Sequence, residues 1–274
     1  WDYDRDATWP QDIIEKAFEV GLMNSHIPEE YGGPGLDSLT GCLIEEELGW
    51  GCSGIGTSLM CNGLASAPVL IAGSEEIKKK YLGMLTEEPK LASFCLTEPD
   101  AGSDVSSMRT TAVKKGDHYV INGTKCFITN GSHASWYTVY AKTDKDAGHR
   151  GISAFVVPRD ADGVVVDKKE DKLGQRASDT AMISFHDVAV PAKNLLGEEN
   201  KGFKLAMMTL DRTRPGVAAM AVGIARAAFE FAVEYAKERI QFGVPIAMHQ
   251  AIQFMIADMA TKVEAARLLT WKAA

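Results

Sequence analysis

Apolar positions at the start of the chain recur with the period of a helix. Ile13, Ile14, Ala17 and Phe18 follow the three- and four-residue spacing of an amphipathic helix, and Gly21 stands where that helix would end. Further along, the stretch GCSGIGTSLMCNGLASAPVLIAG is small and apolar on nearly all sides, which predicts a buried helix. The first ninety residues therefore predict a helical segment.

Two of these helices carry start signals. Pro10 suits the first position of a helix, because its missing N–H has no partner there in any case. Ser74 precedes an amphipathic run and predicts a side-chain cap.

From Leu91 the period changes to two. Seven or eight short runs rich in β-branched and aromatic residues follow, separated by turn residues. Lys115–Gly116–Asp117 and Asn122–Gly123 predict hairpin turns. Strands at this spacing predict a barrel or sandwich rather than a parallel sheet.

The helical period returns from Lys201 and continues in two long helices separated by QFGVP. Two antiparallel helices bury only part of their apolar stripes against each other, so further helices or a partner subunit must cover the rest. The expected boundaries are 1–90 for a helical domain, 91–197 for a β-domain and 198–274 for a second helical domain, which is expected to be incomplete.

Composition narrows the class of protein. The chain has 274 residues, of which 46% are hydrophobic and 24% charged, and its formal net charge is −8. No basic stripe exists to replace the counterions of a nucleic acid, and the short run Lys78–Lys80 is expected to be a solvated helix face. No unbroken apolar run approaches eighteen residues and no targeting segment is present, so no membrane span is predicted.

Motifs for metals, disulfides and nucleotides are absent from the sequence. The five cysteines are odd in number and form no C-x-x-C pair, and the six histidines include no H-E-x-x-H. GCSGIG follows no strand and has no Lys-Ser or Lys-Thr pair after it, so it is neither a dinucleotide fingerprint nor a phosphate loop. We predict no metal site, and the sequence gives no support for the binding of NAD or ATP.

The stretch CLTEPDAGSD, Cys95 to Asp104, predicts an anion-binding loop at a strand end. Thr97 and Ser103 supply hydroxyls, Gly102 permits close approach, and successive amides can form a nest for a diphosphate. Three acids in this loop would oppose a phosphate unless they face outward or bond nearby amides. A rigid structural turn is the alternative.

Two other spots are candidates for function. CFITNG places an aromatic residue, Phe127, and a hydroxyl, Thr129, at a strand end, although a core aromatic beside a turn would look the same. In DRTRPG, Pro215 cannot donate to the carbonyl of Asp211, so the helix is expected to bend or open beside Arg214. An ordinary proline kink is the alternative there.

Taken together, these stretches resemble the acyl-CoA dehydrogenase family, most closely its medium-chain branch. The resemblance is carried, in family order, by MNSHIPEEYGG, IEEELGWGCSG, KKKYLGMLTEEP, CLTEPDAGSDV, INGTKCFITNG, LGQRASDT, DRTRPGVAA and ERIQFGVPIAMHQAI. It implies an α+β multidomain fold with an N-terminal α-helical domain, a middle β-barrel or sandwich domain and a C-terminal helical bundle. It also implies FAD as the cofactor.

Residues matching the family's FAD site lie in three stretches. They are Phe94, Cys95, Leu96, Thr97, Gly102 and Ser103, then Phe127, Ile128 and Thr129, and then Arg239, Ile240, Gln241, Phe242, His249 and Gln250, which in such tetramers reach a neighbour's cofactor. Ser103, Asp211 and Arg214 match positions that contact the substrate.

The implied reaction is the α,β-dehydrogenation of a fatty acyl-CoA to the trans-2-enoyl-CoA in fatty acid β-oxidation. Electrons would pass to an electron-transfer flavoprotein, in the mitochondrial matrix of a eukaryote or the cytoplasm of a bacterium. The family's usual base is a glutamate expected beyond Ala274, and Thr213 occupies the position that holds the base in a minority of members, so no catalytic residue is assigned.

Other departures and alternatives remain. Phe127 stands in place of the tryptophan common in the medium-chain type, and Met60 in place of an acid at the base of the substrate pocket. A flavin-binding scaffold or assembly factor without a base is one alternative function, and an acyl-CoA oxidase is another.

Overall fold

The computed structural model describes residues 2–274. Its elements follow the predicted order of helices, strands and helices. The first helices are α1 (Asp2–Arg5), α2 (Gln11–Glu19), α3 (Ser38–Gly51), α4 (Ser53–Ala72) and α5 (Glu75–Glu87). The strands are β1 (Ala92–Cys95), β2 (Thr111–Lys115), β3 (His118–Thr129), β4 (Trp136–Lys142), β5 (Ile152–Pro158), β6 (Val164–Lys169) and β7 (Thr180–Pro191). Then come α6 (Gly202–Glu238), a small hairpin of β8 (Ile240–Gln241) and β9 (Val244–Pro245), and α7 (Gln250–Ala273).

Local signals set several helix ends. The Ser74 hydroxyl accepts a hydrogen bond from the N–H of Ile77 at 3.3 Å, which confirms the predicted cap. Pro10 precedes α2 as its cap residue, one position earlier than predicted. Gly21 has a φ of +75° just after α2, a conformation that glycine adopts without strain.

The β-strands form one mixed seven-stranded sheet. β4 pairs with β5 in antiparallel fashion on one side and with β1 in parallel on the other, and Thr111 of β2 pairs with Lys142. β3 then pairs with β2 and β7, and β7 with β6, all antiparallel. The observed sheet is therefore mostly antiparallel, with parallel pairs where β1 and β2 meet β4.

One of the two predicted turns is confirmed and the other is wrong. Lys115 pairs with His118, so Gly116 and Asp117 form the β2–β3 turn, with Gly116 at a φ of +63°. Asn122–Gly123 lies inside β3, at a shift in the register with β7. The glycine there is required by a β-bulge, which has the same local signature as a turn.

Side chains of the sheet alternate between two hydrophobic clusters. Trp136 and Tyr140 of β4 point toward helices α4 and α5, whereas Tyr137 and Val139 point into a cluster built from the strands. β5 alternates in the same way. The sheet is thus covered on both faces.

Contacts divide the chain into two compact units. One contains the segment up to Leu36 and Thr57–Thr213, and the other contains Asp37–Gly56 and Arg214–Ala274. In the second unit, α3 and α6 approach closely at glycines. A Cβ on Gly223 would lie 2.0 Å from the Glu46 carbonyl oxygen, and one on Gly49 2.4 Å from that of Met220.

Two helices are long and apolar enough to cross a membrane by length and composition alone. They are α4, with a mean hydropathy of 1.5, and α6, with 1.6. Neither helix is an unbroken apolar run, because small polar residues interrupt α4 and polar and charged residues interrupt α6. More than half of the apolar part of α4 is buried inside the protein, as in a core helix.

Candidate functional site

The loop after β1 closes on itself at Glu98. The N–H of Glu98 donates to the carbonyl of Ala101 at 3.0 Å, and the N–H of Ala101 donates back at 3.1 Å. This pair of bonds tightens the EPDA turn, so that the following residues, Gly102 and Ser103, are held exposed at its exit. The two backbone hydrogen bonds between Glu98 and Ala101 therefore hold the turn together from within the loop.

The three acids of this loop are all engaged by the protein itself. Glu98 is buried and accepts hydrogen bonds from the N–H groups of Arg109 and Thr110. Asp100 pairs with the Arg109 guanidinium at 2.9 Å, and Asp104 accepts from the hydroxyls of Ser106 and Ser107. Each of the three carboxylates is bonded to groups of the protein, which reduces its repulsion of an anion bound at this loop.

Donors remain free at the exit of the same loop. Within residues 2–274, the N–H groups of Gly102 and Ser103 donate to no acceptor, and the hydroxyls of Thr97 and Ser103 make no hydrogen bond. Successive amides without an acceptor in the protein are available to a phosphate group. The anion nest at Gly102 and Ser103 stays a prediction.

The second predicted stretch is shaped by another bulge in β3. The register with β7 shifts between Lys125 and Ile128, and Phe127 has a φ of +57°, which is strained for a bulky residue. Its ring is 65% exposed. Such strain at an exposed aromatic residue is typical of a functional site rather than a core position. The core alternative for Phe127 is wrong.

The structure joins the two stretches directly. The N–H of Cys126 donates to the Thr97 carbonyl at 3.0 Å, and the Ser93 hydroxyl donates to the Thr129 carbonyl at 2.7 Å. The Thr129 hydroxyl makes no hydrogen bond within the described part of the chain. Unpartnered hydroxyls of Thr97 and Thr129 thus belong to adjacent, hydrogen-bonded segments.

Other predicted residues of this stretch are structural in their side chains. Cys95, Leu96 and Ile128 are buried, and burial raises the pKa of the Cys95 thiol well above its usual range. Phe94 packs its ring edge-on against Tyr140, with centroids 5.2 Å apart. Only backbone groups of these residues remain for a ligand.

The third predicted stretch forms a tight hairpin between α6 and α7. Phe242 and Gly243 both have positive φ, at +54° and +80°, and close β8 onto β9. The Phe242 ring is 95% exposed and meets the His249 ring edge-on at 5.8 Å. Ile240 and Gln250 are exposed as well.

Arg239 and Gln241 lie at the base of this hairpin. The Arg239 guanidinium is exposed and forms no ion pair or hydrogen bond with any described residue, whereas the Gln241 amide donates to the Ile240 carbonyl at 2.7 Å. An exposed guanidinium without a partner among the described residues is available to a ligand or another subunit.

The DRTRP stretch is part of a continuous helix. α6 stays helical through Pro215, so the expected opening does not occur. The Thr213 hydroxyl donates to the Thr209 carbonyl at 3.0 Å. Asp211 and Arg214 are exposed on this helix. A neutral threonine hydroxyl is far too weak a base to abstract an α-proton, so no base stands at this position.

Sequence reasoning missed two buried residues behind these segments. Lys125 lies between the two β3 bulges and is fully buried. Asp179, also fully buried, accepts from the Ser132 N–H at 2.8 Å, and its carbonyl accepts from the Asn130 N–H at 2.9 Å, so it holds the turn after Thr129. The signal in the sequence is a charged residue within a β-rich run. The bulges break the alternation of side chains along β3, so the sequence does not show which face of the sheet that residue occupies.

The arrangement fits FAD. Free amides at Gly102 and Ser103 suit the diphosphate, the hydroxyls of Thr97 and Thr129 suit the polar edges of the ring, and exposed Phe127 suits a ring face. By contrast, the described residues contain no cluster of His, Cys, Asp or Glu placed to hold a metal ion.

Comparison with known proteins gives matches along the chain. Residues 1–88 match the acyl-CoA dehydrogenase N-terminal domain, 93–188 the middle domain and 200–274 the C-terminal domain. The chain is 50% identical over 275 residues to the probable medium-chain specific acyl-CoA dehydrogenase 2, mitochondrial, of Caenorhabditis briggsae, covering 99% of this chain and 67% of the relative.

Comparison with solved structures also gives matches along most of the chain. The butyryl-CoA dehydrogenase of Megasphaera elsdenii superposes with a TM-score of 0.96 at 45% identity, covering 100% of this chain and 73% of that one. An acyl-CoA dehydrogenase from Bacillus anthracis complexed with FAD gives a TM-score of 0.89 at 39% identity, covering 95% of this chain and 44% of that one. The chain therefore belongs to the acyl-CoA dehydrogenase family, and is an oxidoreductase that acts on acyl-CoA with FAD as its cofactor.

Proposed function

We propose that the protein catalyses the α,β-dehydrogenation of a fatty acyl-CoA to the trans-2-enoyl-CoA in fatty acid β-oxidation and passes the electrons to an electron-transfer flavoprotein. One observation carries the proposal. The bond between the Cys126 N–H and the Thr97 carbonyl brings together two segments whose hydroxyls and amides are otherwise unpartnered. FAD, when bound, supplies the acceptor for the hydride that leaves the β-carbon.

The residues of the chain hold and orient the cofactor in this proposal. The backbone from Phe94 to Thr97 and the hydroxyls of Thr97 and Thr129 bond the ring, while Gly102 and Ser103 hold the diphosphate. The turn Phe127–Thr129 covers one ring face and excludes water from it. Because Thr97 and Thr129 are fixed by neighbouring backbone bonds, the ring is positioned before substrate arrives.

Substrate contacts are proposed at Ser103, Asp211 and Arg214. Arg214 carries a permanent positive charge on an exposed helix face, which suits the phosphates of CoA. We assign no residue of this chain as the base that removes the α-proton, because the position that holds the base in a minority of the family is occupied here by Thr213, whose hydroxyl is too weak a base.

A homotetramer is proposed from the exposed apolar side chains of the second unit. Phe231, Phe254, Met255 and Leu269 are 75%, 65%, 60% and 69% exposed on α6 and α7. Large apolar faces of this kind are covered by partner subunits in stable proteins. Arg239 to Phe242, with His249 and Gln250, would then reach a neighbour's FAD. We further propose domain boundaries at 90/91 and 197/198, and a mitochondrial matrix location in a eukaryote or a cytoplasmic one in a bacterium.

The test is anaerobic reduction of the flavin in the full-length protein by a series of saturated acyl-CoA thioesters. Bleaching of the oxidised FAD spectrum and formation of the enoyl-CoA are expected. Thr129→Ala and Ser103→Ala should each weaken FAD binding by about tenfold. Thr124→Ala is the matched control, since its hydroxyl bonds Ser184 at 2.9 Å on the same strand.

Two results would overturn this function. If no acyl-CoA reduces the flavin, the protein is not a dehydrogenase of these substrates. If reduced flavin reacts faster with oxygen than with electron-transfer flavoprotein, the protein is an acyl-CoA oxidase.

A further inference from the structure

A buried ion pair lies directly behind the two proposed FAD segments. The Lys125 ammonium is 2.8 Å from the Glu98 carboxylate, and the side chains are 0% and 5% exposed. Lys125 also donates to the Leu96 carbonyl at 3.0 Å. One lysine therefore contacts the start of the loop and its first acid at the same time.

Each partner is bonded to backbone on its other side. Glu98 accepts from the N–H groups of Arg109 and Thr110, so the carboxylate ties the loop to the chain that enters β2. Lys125 immediately precedes the register shift that turns Phe127 outward. The pair thus bridges the loop Leu96–Ser103 and the turn Phe127–Thr129.

Burial makes such a pair a poor source of stability. Desolvation lowers the pKa of Lys125, and Glu98 opposes that effect. Burial likewise acts to raise the pKa of Glu98, but the Lys125 charge and the Arg109 N–H bring it below its usual value. Replacing buried pairs by apolar residues is often neutral for folding, because the attraction between the charges only offsets the loss of their hydration. A geometric role is the stronger explanation.

We propose that Lys125 and Glu98 are positioning residues, which fix the separation between the loop Leu96–Ser103 and the turn Phe127–Thr129 and thereby set FAD affinity and the environment of the flavin ring. The inference rests on the proposed FAD site. It assigns the pair no contact with the cofactor, since the Lys125 ammonium is already used by Leu96 and Glu98.

The experiment compares Lys125→Met, Glu98→Gln and Lys125→Arg in the full-length protein. FAD affinity is measured by titration of the apoprotein, the ring environment by visible circular dichroism of the bound flavin, and folding by thermal unfolding of the apoprotein. Asn194→Ala is the control in the same unit, because Asn194 is buried and its amide donates to Val156 at 2.9 Å and Tyr81 at 3.2 Å.

Lys125→Met is expected to raise the FAD dissociation constant about tenfold or more and to change the flavin dichroism. Glu98→Gln should raise the dissociation constant and change the dichroism to a smaller extent. Lys125→Arg should bind FAD more tightly than Lys125→Met, because it restores the positive charge. Asn194→Ala should lower the unfolding temperature without altering either flavin property. If Lys125→Met does not fold, Glu98→Gln decides by the same measurements.

The inference is overturned if the variant that folds loses unfolding temperature as the control does while its FAD affinity and dichroism stay unchanged. Failure of the FAD site itself is distinguishable. In that case Ser103→Ala and Thr129→Ala would also leave FAD affinity unchanged, whereas failure of the positioning role alone leaves their effects intact.

Discussion

The guanidinium of Arg267 holds the carboxylate of Glu46 through three hydrogen bonds. Its Nε lies 3.1 Å from Oε1 and 3.2 Å from Oε2, and Nη2 lies 2.8 Å from Oε1. Arg226 adds a contact to Glu46 at 2.9 Å. Because the three residues lie on α3, α6 and α7, one buried carboxylate links three helices of the second unit.

Replacing Glu46 by Gln should be strongly destabilising. The change removes the one buried carboxylate that both arginines share, leaving Arg226 with Glu47 and Glu230 and Arg267 with Glu264 at the surface. Breaking a buried ion pair costs about 3–5 kcal/mol. Urea unfolding of the full-length protein measures the effect. Glu47→Gln is the control, since Glu47 pairs with Arg226 at the surface, and it should cost below about 1 kcal/mol. Equal losses in the two variants would show that burial of Glu46 does not matter.

Glu45 should make stability depend on pH. Burial raises the pKa of its carboxyl from 4.5 to about 7, and it has no ion pair or hydrogen bond among the described residues. Its carboxylate faces Gly216, where a Cβ would lie 2.1 Å from Oε2. Nearby Cys42, whose pKa burial raises to about 11, stays neutral in this range. The folded protein holds this proton more tightly than the unfolded chain, so stability falls as pH rises from about 4.5 to 7.

Glu45→Gln should remove this dependence. At pH 8 the variant should be more stable than the wild type, on the order of 2 kcal/mol, and at pH 4.5 the difference should vanish. Denaturant unfolding at the two pH values measures it. Glu47→Gln should show the opposite trend, because the hydrogen bond from Arg226 lowers the pKa of Glu47. A Glu45→Gln difference that is the same at both pH values would contradict the prediction.

Arg239→Ala should weaken FAD retention and tetramer stability together. A charge-assisted contact with a diphosphate contributes about 1.5–3 kcal/mol, roughly a ten- to hundredfold change in affinity. Lysine should restore only part of it, because it lacks the planar fork. FAD titration and mass measurement at matched salt test this in the full-length protein. Lys237→Ala is the control, since Lys237 pairs with Glu234 at 2.7 Å on α6. Unchanged affinity and mass would leave Arg239 an ordinary surface residue.

Gly123→Ala should destabilise the β-domain far more than Gly116→Ala. At Gly123, φ is +150° and a Cβ would lie 2.4 Å from the Thr110 hydroxyl and 2.7 Å from the Thr110 Cα, so backbone must move. A cost of about 3 kcal/mol or more follows. At Gly116 the space is open and only the φ of +63° opposes alanine, which costs about 1 kcal/mol. Thermal unfolding compares them, and similar losses would show that the bulge adapts.

Local features of this fold could be predicted from the sequence, and long-range ones could not. The Ser74 cap depends on a bond to Ile77, three residues away, and the Gly116 turn on two adjacent strands. Asn122–Gly123 has the same local signal as a turn, and only its pairing with β7 reveals a bulge. A short-range sequence signal therefore predicts the local structure correctly when no distant strand or side chain changes that structure.

The candidate site shows the same division. Thr97, Ser103 and Thr129 could be named from hydroxyls at strand ends together with the family resemblance. Lys125 could not, because its partner Glu98 is 27 residues away and two bulges disturb the alternation of β3. The role proposed for Arg239 would depend on a neighbouring subunit, which no pattern within one chain specifies.

The alternation of β4 has a consequence for how the protein opens. Trp136 and Tyr140 belong to the cluster shared with the helices, and Tyr137 and Val139 to the cluster of the strands. Loss of either cluster exposes one face of the same strand to water, so neither can melt without weakening the other. We expect the amides of Trp136–Lys142 to exchange with deuterium at one common free energy of opening, equal to that of global unfolding of the first unit. The β-domain and the helices around it would then form a single cooperative folding unit.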